Sequence, residues 1–310
     1  FGMITESIAI FSLFGVFVLK RYAIVFPEKG TYPLMKTHIK LFAVWLGFCC
    51  RLYAEPALPT AQTGWPLELK GARLVHESPE GIVLYEEGKK PELWIKGGRW
   101  PRWSRNGEAV FFIRGKEIGW KDFRSGKETM ILRMSRPSIL AVHDEGREVW
   151  VGEGQQVKAV NPKTGEVRVV VENDTFRELD VGPKGESLVA TVRGKRGGNI
   201  IRYFDLQTGE TRDIGRGCSA SLSPDGTLAT NNVSGHQELL LTQVKDGTKF
   251  KSLKTPEGHR TDNQYWSTHA NWVVATSEKK GQILAQRVSD AAVWILTEPV
   301  HADRPDLWVP

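Results

Sequence analysis

A repeat of about 40 residues, each containing two turn sequences, constrains the fold of this chain more than any other feature. The clearest turn is the Ser-Pro-Asp-Gly sequence at 223–226, which lies between the apolar residues Leu222 and Leu228. Proline fixes φ at the first turn position, aspartate caps the turn through its carboxylate, and glycine accepts a positive φ. Residues 220–230 are therefore predicted to form a strand, a tight turn and a second strand.

Degenerate copies of this turn recur along the chain, 39 to 44 residues apart. The residues that align at the end of the first strand are Trp103, Val142, Val181, Leu222, Trp266 and Trp308. A second glycine-containing turn recurs in phase with the first, at 123–127, 162–166, 206–210 and 244–248. Each repeat therefore contains two hairpins, and four strands in about 40 residues are typical of a β-propeller blade. A helical repeat would need an apolar period of 3.6 residues, which the sequence lacks.

The number of repeats predicts a six-bladed ring. Five full repeats begin near Trp100, Ile139, Glu178, Ser219 and Gln264. Three strand-like runs precede them, at Arg73–His76, Ile82–Tyr85 and Glu92–Ile95, and one isolated strand follows at 305–309. The sequence thus predicts an all-β fold, a six-bladed β-propeller of four-stranded antiparallel blades. Pairing of the N-terminal and C-terminal strands would close the ring and remove its open sheet edges.

Two of the turns also carry a family resemblance. Trp-Ser-x-x-Gly at 103–107 and Ser-Pro-Asp-Gly at 223–226 resemble the blade-start motifs of the TolB-type, WD-repeat-like propellers of bacterial periplasmic proteins. The resemblance covers about residues 65–310. It implies a scaffold that binds a protein or peptide on the loop face around the central channel.

The net charge of +6 gives little reason to expect a nucleic-acid partner. Residues 1–54 carry six Lys/Arg and two Asp/Glu, so the remaining chain has a net charge of only +2. A nucleic-acid-binding domain usually concentrates basic residues on one face. We therefore predict no nucleic-acid binding.

A secretory leader is predicted at residues 35–54. Met35 is followed by a basic stretch at 36–40, a ten-residue apolar run at 41–50 and a possible cleavage point after Ala54. This order is typical of a signal peptide. Cleavage would place the protein in the periplasm or outside the cell. An uncleaved leader would instead anchor it to the membrane, and a lipid on Cys49 or Cys50 is a third possibility.

The remaining segments complete the predicted domain organisation. Residues 55–64, rich in Pro, Ala and Thr, are expected to be a tether, and 65–310 the propeller. Residues 1–34 precede Met35 and contain an apolar run that Lys20-Arg21 interrupts before it reaches membrane-spanning length. They are interpreted as an upstream or leader extension, with a membrane helix as the alternative.

The search for catalytic motifs favours a protein that is not an enzyme. The sequence contains no Gly-x-Ser-x-Gly elbow, no His-Glu-x-x-His and no Cys-x-x-Cys. Cys218 is the one cysteine outside the predicted leader and is expected to be a small buried strand residue. No cofactor is predicted.

Two histidines are the candidates for a metal or ligand site. His259 and His301 each lie seven residues before an aligned tryptophan, Trp266 and Trp308. Metal-dependent propeller lyases and lactonases carry ligands on such loops. The alternative is that both histidines brace neighbouring blades through hydrogen bonds. The sequence does not predict which metal such a site would bind.

An arginine precedes the first strand of every repeat. These residues are Arg99, Arg136, Arg177, Arg216, Arg260 and Arg304. They lie four or six residues before the aligned positions, and even offsets along an extended strand place side chains on one face. We expect a positive channel mouth that binds a carboxylate, a phosphate or an acidic peptide. Blade-to-blade salt bridges with nearby acidic residues are the structural alternative.

Together these features predict a periplasmic or secreted, TolB-like, non-catalytic scaffold. Its partner is expected to be a protein, an acidic peptide or another anionic ligand. Contact with a membrane is expected only through an uncleaved leader. The alternative function is a metal-dependent propeller enzyme of the lyase or lactonase type.

Overall fold

The Ser-Pro-Asp-Gly sequence forms the predicted tight turn. The Ser223 N–H donates to the Leu228 carbonyl over 2.8 Å, and the Gly226 N–H donates to the Ser223 carbonyl over 2.8 Å. Asp225 accepts the Thr227 N–H over 3.0 Å, and Gly226 has a φ of +74°. Proline, aspartate and glycine thus each take the part that their chemistry predicts.

The computed structural model describes residues 58–310 apart from 144–145 and 234, together with two short strands near the N-terminus. The described residues belong to two units, which divide between residues 57 and 58. In the first unit, β1 (Ile10–Ser12) pairs antiparallel with β2 (Gly15–Phe17). The predicted leader at 35–54 lies outside the described residues. Among those residues, no helix has the length and apolar character to span a membrane.

The second unit is a ring of six antiparallel sheets, which confirms the predicted propeller. Blade 1 consists of β7 (Arg99–Trp103), β8 (Ala109–Arg114), β9 (Glu117–Asp122) and β10 (Glu128–Arg133). Blade 2 consists of β11 (Pro137–His143), β12 (Glu148–Glu153), β13 (Gln156–Val160) and β14 (Val167–Glu172). Blade 3 consists of β15 (Phe176–Val181), β16 (Ser187–Arg193), β17 (Asn199–Asp205) and β18 (Thr211–Arg216). Blade 4 consists of β19 (Cys218–Leu222), β20 (Leu228–Asn232), β21 (Glu238–Gln243) and β22 (Lys249–Lys254).

Blade 5 has a fifth strand at its outer edge. It consists of β23 (Thr261–Trp266), β24 (Trp272–Ser277), β25 (Gln282–Arg287) and β26 (Val293–Ile295), with β3 (Ala61–Thr63) paired parallel to β26. The segment 61–63, which the composition suggests is tether, therefore takes part in a sheet. Its backbone satisfies the edge that β26 would otherwise leave open.

Blade 6 closes the ring as the sequence predicts. It combines β4 (Arg73–Ser78), β5 (Gly81–Glu86) and β6 (Glu92–Lys96) with the C-terminal β27 (Asp303–Trp308), which pairs antiparallel with β4. Short 3-10 turns lie at Leu67–Leu69 and Pro183–Gly185.

Aromatic side chains fill the wedges between blades. Trp94 of blade 6 stacks on Trp103 of blade 1 with ring centroids 6.1 Å apart, and Phe123 packs against both rings. These large apolar side chains bury surface where two twisted sheets diverge. The high tryptophan content thus contributes to the contact between neighbouring blades.

The start of β19 depends on a glycine. Gly217 has a φ of +134°, and a Cβ built there would lie 1.7 Å from the Asn232 carbonyl oxygen. We expect Gly217→Ala to lower the free energy of unfolding by at least about 3 kcal/mol, because the backbone conformation is strained for L residues and the added atom overlaps backbone. Urea denaturation followed by tryptophan fluorescence measures the change.

Gly154→Ala is the matched control for Gly217→Ala. Gly154 also has a positive φ, +64°, but an added Cβ would meet no atom within 4 Å. We expect a cost of about 1 kcal/mol from backbone strain alone. Equal effects of the two substitutions would contradict the steric argument.

Candidate functional site

The first strand of each blade lines the central channel. These inner strands are β7, β11, β15, β19, β23 and β27, and each contacts the next around the ring. Since the chain passes from the outer strand of one blade to the inner strand of the next, all six inner strands run in the same direction. We call the end where they begin the arginine end, and the end where they finish the turn end.

One residue of each inner strand forms an inner ring around the channel. Five of its members, Arg102, Ala141, Asp180, Ser221 and Tyr265, directly precede an aligned residue, and the sixth is Asp306, which precedes Leu307. Three of them accept a backbone N–H from the following blade. Asp180 accepts from Leu222 over 2.9 Å, Ser221 from Trp266 over 2.9 Å, and Asp306 from Trp103 over 2.7 Å.

These bonds correct the alignment of the last repeat. Asp306 occupies the position of Asp180 and Ser221, so the residue equivalent to Leu222 is Leu307 and not Trp308. Trp308 instead lies against the turn of blade 1, where its indole N–H donates to the Arg105 carbonyl over 3.1 Å. Trp308 matches the tryptophans of the other repeats in sequence, but it does not occupy their position in the blade.

Arg102 is the most unusual member of the inner ring. Its side chain is 5% exposed, and its guanidinium carbon lies 3.4 Å from the centre of the Tyr265 ring. Its Nη1 donates to the Pro101 carbonyl over 2.6 Å, whereas Nε and Nη2 are buried without a hydrogen-bond partner. Unpaired buried donors are costly, and they mark places where a ligand or water completes the hydrogen bonding.

Two carboxyl groups lie near Arg102. Burial raises the pKa of Asp306 to about 6, although the Arg102 charge and the hydrogen bonds from Trp103 and Leu307 oppose the increase. Burial also raises the pKa of Asp180, and the Arg102 charge again opposes it. The neutral acid form is thereby favoured at both positions relative to an exposed aspartate.

The inner ring faces a cavity at the turn end, which we call the channel cavity. Its volume is about 100 Å³, and its lining includes Arg102, Asp180, Tyr265 and Asp306. The Tyr265 hydroxyl also has no hydrogen-bond partner. Arg102 and Tyr265 therefore both line this cavity, and each has a buried donor atom without a protein acceptor.

An exposed arginine spans the mouth of the channel cavity. Arg105, in the turn after β7, donates from Nη2 to the carbonyl of Pro224, in the turn after β19. These turns belong to blades 1 and 4, which are opposite in a ring of six. Both residues also line the channel cavity.

The six arginines predicted from the sequence lie at the start of the inner strands. Arg99, Arg177 and Arg304 are in the strands themselves, Arg136 and Arg260 directly precede them, and Arg216 ends the outer strand β18. A bulge interrupts each inner strand, as between Arg99 and Arg102 in β7. Strict alternation does not hold across a bulge, so the even offsets alone do not fix the side-chain directions.

Two of these arginines have acidic partners. Arg304 Nη1 lies 2.9 Å from Asp303 and 3.3 Å from Glu77, and Arg260 lies 3.5 Å from Glu278. The other four, Arg99, Arg136, Arg177 and Arg216, have exposed side chains and form no ion pair with a described residue. These four arginines therefore supply exposed positive charge at the arginine end.

The two candidate histidines have different surroundings. His259 Nδ1 lies 2.9 Å from the Ser277 hydroxyl, and burial lowers the pKa of His259. His301 is exposed and has a φ of +48°. Within the described part of the chain, neither belongs to a group of three side chains with metal-ligand spacing.

A different group has that spacing. The ligand atoms of Cys218, His236 and Asp262 lie within 4.8 Å of one another. Burial and the Asp262 and Glu178 carboxylates raise the pKa of Cys218 to about 12, so the thiol form predominates. This condition does not favour a thiolate nucleophile.

Sequence reasoning missed both Arg102 and this group. A polar residue directly before the aligned position is shared by Arg102, Asp180, Ser221 and Asp306, and this pattern could have indicated the inner ring. Cys218 and Asp262 are 44 residues apart, one repeat period, and could have been recognised as neighbours in adjacent blades. His236 has no equivalent signal, because it lies in an irregular turn.

No family model matches the chain, and no curated protein matches it. Solved structures do match its fold. A chain of the nidogen/laminin complex has a TM-score of 0.63 at 12% identity, with 76% of this chain and 98% of that chain covered. TolB from Acinetobacter baumannii has a TM-score of 0.62 at 14% identity, with 78% and 67% covered.

A third structure extends the TolB resemblance. The putative TolB from Agrobacterium tumefaciens has a TM-score of 0.50 at 17% identity, with 59% of this chain and 69% of that chain covered. Identities at this level describe the fold. Residues 58–310 therefore form a six-bladed β-propeller with the fold of the TolB proteins, as the blade-start motifs indicate.

Proposed function

We propose that this propeller is a non-catalytic scaffold that binds an acidic group of a protein or peptide partner in its channel. The observation that carries this proposal is the buried guanidinium of Arg102, a residue that lines the channel cavity and whose Nε and Nη2 have no protein acceptor. A guanidinium presents two parallel N–H groups that match the oxygens of a carboxylate. The Tyr265 hydroxyl supplies a further donor from the cavity wall.

The charge balance in the channel cavity is compatible with an incoming anion. Asp306 and Asp180 are close enough for the Arg102 charge to lower their pKa values, but neither forms an ion pair with it within 4.0 Å. Burial favours the neutral form of both carboxyl groups more than at an exposed site. Since the pKa of Asp306 is about 6, this carboxyl is mostly ionised at pH 7.5, and we expect an anion to bind more tightly below pH 6, where Asp306 is neutral and the guanidinium charge is less compensated.

The cavity is small, so the ligand enters as one side chain or one chain end. A volume of about 100 Å³ is well below the few hundred Å³ of a typical small-molecule pocket. An aspartate or glutamate side chain, or a terminal carboxylate, fits this space, while the rest of the partner contacts the surrounding turns. Structural likeness to a chain solved in the nidogen/laminin complex is consistent with a protein partner.

The opposite end of the channel contributes in a different way. The six arginines, together with His259 and His301, form the positive mouth in this proposal. Arg99, Arg136, Arg177 and Arg216 provide its exposed charge, which attracts an acidic partner over a distance of about 10 Å at physiological salt. The leader predicted at 35–54 and the TolB-type motifs favour the periplasm or the extracellular space as the place of binding.

Peptide binding tests this function. We expect the full chain to bind a fluorescein-labelled hexaglutamate peptide saturably in fluorescence anisotropy, and to bind a hexalysine peptide far more weakly. Removing the guanidinium in Arg102→Met, combined with Asp306→Asn to preserve the charge balance, is expected to weaken hexaglutamate binding by about 10- to 100-fold. Loss of a charged hydrogen-bond pair has an effect of this size.

Two further variants assign the effect to one end of the channel. Asp306→Asn alone keeps Arg102 and is expected to bind hexaglutamate at least as well as the natural chain. A variant with alanine at Arg99, Arg177 and Arg216 is expected to lower the association rate and its salt dependence, because exposed charges act mainly on encounter. Equal hexaglutamate affinity in the Arg102→Met, Asp306→Asn chain and its Asp306→Asn control would overturn the channel-cavity proposal.

A further inference from the structure

Three side chains with different chemistry meet between blades 4 and 5 at the arginine end. Cys218 begins the inner strand β19, Asp262 lies in the next inner strand β23, and His236 lies between β20 and β21. Cys218 Sγ is 3.6 Å from His236 Nε2 and 3.7 Å from Asp262 Oδ1. Thiolate, imidazole and carboxylate are the three kinds of ligand that zinc sites use.

The two distances match the edges of a zinc tetrahedron. With Zn–S near 2.3 Å and Zn–N or Zn–O near 2.0–2.2 Å, a tetrahedral angle separates sulfur from either ligand by about 3.6 Å. The third edge is wider, since His236 Nδ1 lies 3.9 Å from Asp262 Oδ1, whereas a tetrahedral N–O edge is about 3.4 Å. An ion between the three side chains therefore requires the His236 ring to turn toward Asp262. Three protein ligands leave the fourth tetrahedral position for water or another ligand.

The surrounding groups orient these ligands as in a metal site. His236 Nδ1 lies 3.2 Å from Glu278 Oε1, which leaves Nε2 directed toward Cys218. Asp262 Oδ1 accepts from the Ser219 hydroxyl over 3.0 Å and from the Asn232 amide over 3.2 Å. A carboxylate behind a ligating histidine, and donors that hold a ligating carboxylate, are the usual outer partners of zinc ligands.

The backbone around the three side chains adopts unusual conformations. His236 has a φ of +56°. Ser219 and Asn263, each next to a proposed ligand, have φ values of +59° and +46°, but Trp100 and Arg304 have +54° and +45° at the equivalent bulges of blades 1 and 6, so this conformation is shared by four inner strands. Positive φ in residues other than glycine costs free energy and is concentrated at functional sites. Of these three residues, His236 has the one positive φ that the repeated bulge does not explain.

The site is open to solvent on one side. The side chains of His236 and Asp262 are 23% and 25% exposed, and Cys218 is partly exposed. An ion can therefore enter without unfolding of the blade. On binding, the Cys218 thiol loses its proton to solvent as the sulfur–metal bond forms, so the dication replaces that proton.

We propose that Cys218, His236 and Asp262 bind one zinc-class divalent ion that links blades 4 and 5 and keeps one coordination position open. The sulfur ligand selects zinc over magnesium and calcium, which prefer sites made only of oxygen. This site is separate from the channel cavity, which is lined at the other end of the inner strands. Its existence does not depend on the acidic ligand proposed for Arg102.

Cobalt(II) provides a direct probe, because a cobalt–thiolate bond gives a charge-transfer absorption band that oxygen and nitrogen ligands do not give. The experiment uses the full chain with Cys49→Ser and Cys50→Ser, which leaves Cys218 as its one thiol. We expect one cobalt ion per chain, with this band and with the strong visible bands of tetrahedral cobalt. Zinc added in equal amount is expected to displace the cobalt.

Variants then test each ligand. Cys218→Ser is expected to abolish the charge-transfer band, and His236→Ala and Asp262→Asn to weaken metal affinity by more than 100-fold. Glu278→Gln, which alters the group behind His236, is expected to weaken it by about 10- to 100-fold. His269→Asn is the control, since His269 is exposed in the turn after β23 and lies outside the group, and it should leave the affinity unchanged.

Two results would overturn the proposal. One is the absence of stoichiometric cobalt or zinc binding in a chain whose circular dichroism shows the folded β structure. The other is a charge-transfer band that persists in Cys218→Ser. Loss of metal binding with unchanged hexaglutamate binding would confirm that the two sites are independent.

Discussion

A chain that stops at residue 300 is expected not to form the closed propeller. It lacks β27, the inner strand of blade 6, so β4 loses its antiparallel partner and presents an open sheet edge. Leu307, which is fully buried, leaves the core that joins blades 5 and 6. The Asp306 bond to the Trp103 N–H is also lost.

The expected result is an aggregated or partly folded protein without a cooperative thermal transition. Size-exclusion chromatography and thermal unfolding followed by circular dichroism measure it. A chain that lacks only the exposed Pro310 is the control and should unfold within a few degrees of the full chain. Adding a synthetic peptide of residues 301–310 should restore part of the thermal transition. If the shortened chain without the peptide unfolds cooperatively at the temperature of the full chain, the role of β27 in closure is contradicted.

Arg102→Met is expected to destabilise the protein strongly and in a pH-dependent way. Arg102 is the positive group that lowers the pKa values of the buried Asp306 and Asp180 carboxyls. Removing one partner of a buried ion pair typically costs about 3–5 kcal/mol, and because Arg102 forms no ion pair with either carboxyl within 4.0 Å, we expect a loss at pH 7.5 near the lower end of this range. At pH 5 the loss should be smaller, because protonated carboxyl groups need no counter-charge.

The sign of the pH effect follows from proton binding. A pKa of Asp306 near 6, above the 3.8 of an exposed aspartate, means that the folded state holds more protons than the unfolded state between these values. Stability therefore decreases as pH rises through this range, by about 3 kcal/mol for a shift of this size. Without Arg102 the pKa of Asp306 is raised further, so the decrease in the free energy of unfolding extends to higher pH.

Urea denaturation at pH 5 and pH 7.5 measures these changes. Asp306→Asn in the Arg102→Met background should recover much of the loss at pH 7.5, since it removes one uncompensated carboxylate. Arg105→Met is the matched control, three residues away and exposed, and should change the free energy of unfolding by less than about 1 kcal/mol at both pH values. A loss in Arg102→Met that is equal at both pH values would show that packing, rather than charge, is the role of Arg102.

The fold could be predicted because local chemistry determines each turn. Pro224, Asp225 and Gly226 each favour one backbone conformation, and the same chemistry recurs at a fixed period. Closure was predictable for a similar reason, since three strands at one end of the chain and one at the other complete a single blade. The predicted alignment of the last repeat is wrong at Trp308. In the structure the residue equivalent to Trp103 is Leu307, because Asp306, directly before it, accepts the Trp103 N–H. Residue type alone suggested the tryptophan.

The residues that face the channel were harder to predict, because they are decided by the direction and the burial of each side chain. The bulges in the inner strands change the alternation that would decide which side chains face inward. Arg102 lies in a Trp-Pro-Arg-Trp sequence that gives no indication of a buried charge. The meeting of Cys218 with His236 depends on a turn with positive φ, which no regular pattern specifies.

The contact between Arg105 and Pro224 has a kinetic consequence. This hydrogen bond joins two opposite turns above the channel cavity, so a group that enters from the turn end must first displace the Arg105 side chain. An exposed arginine side chain changes its rotamer within nanoseconds, much faster than a typical protein encounter. A partner that enters from the turn end therefore meets the Arg105 side chain first, and the displacement of this side chain does not limit the association rate.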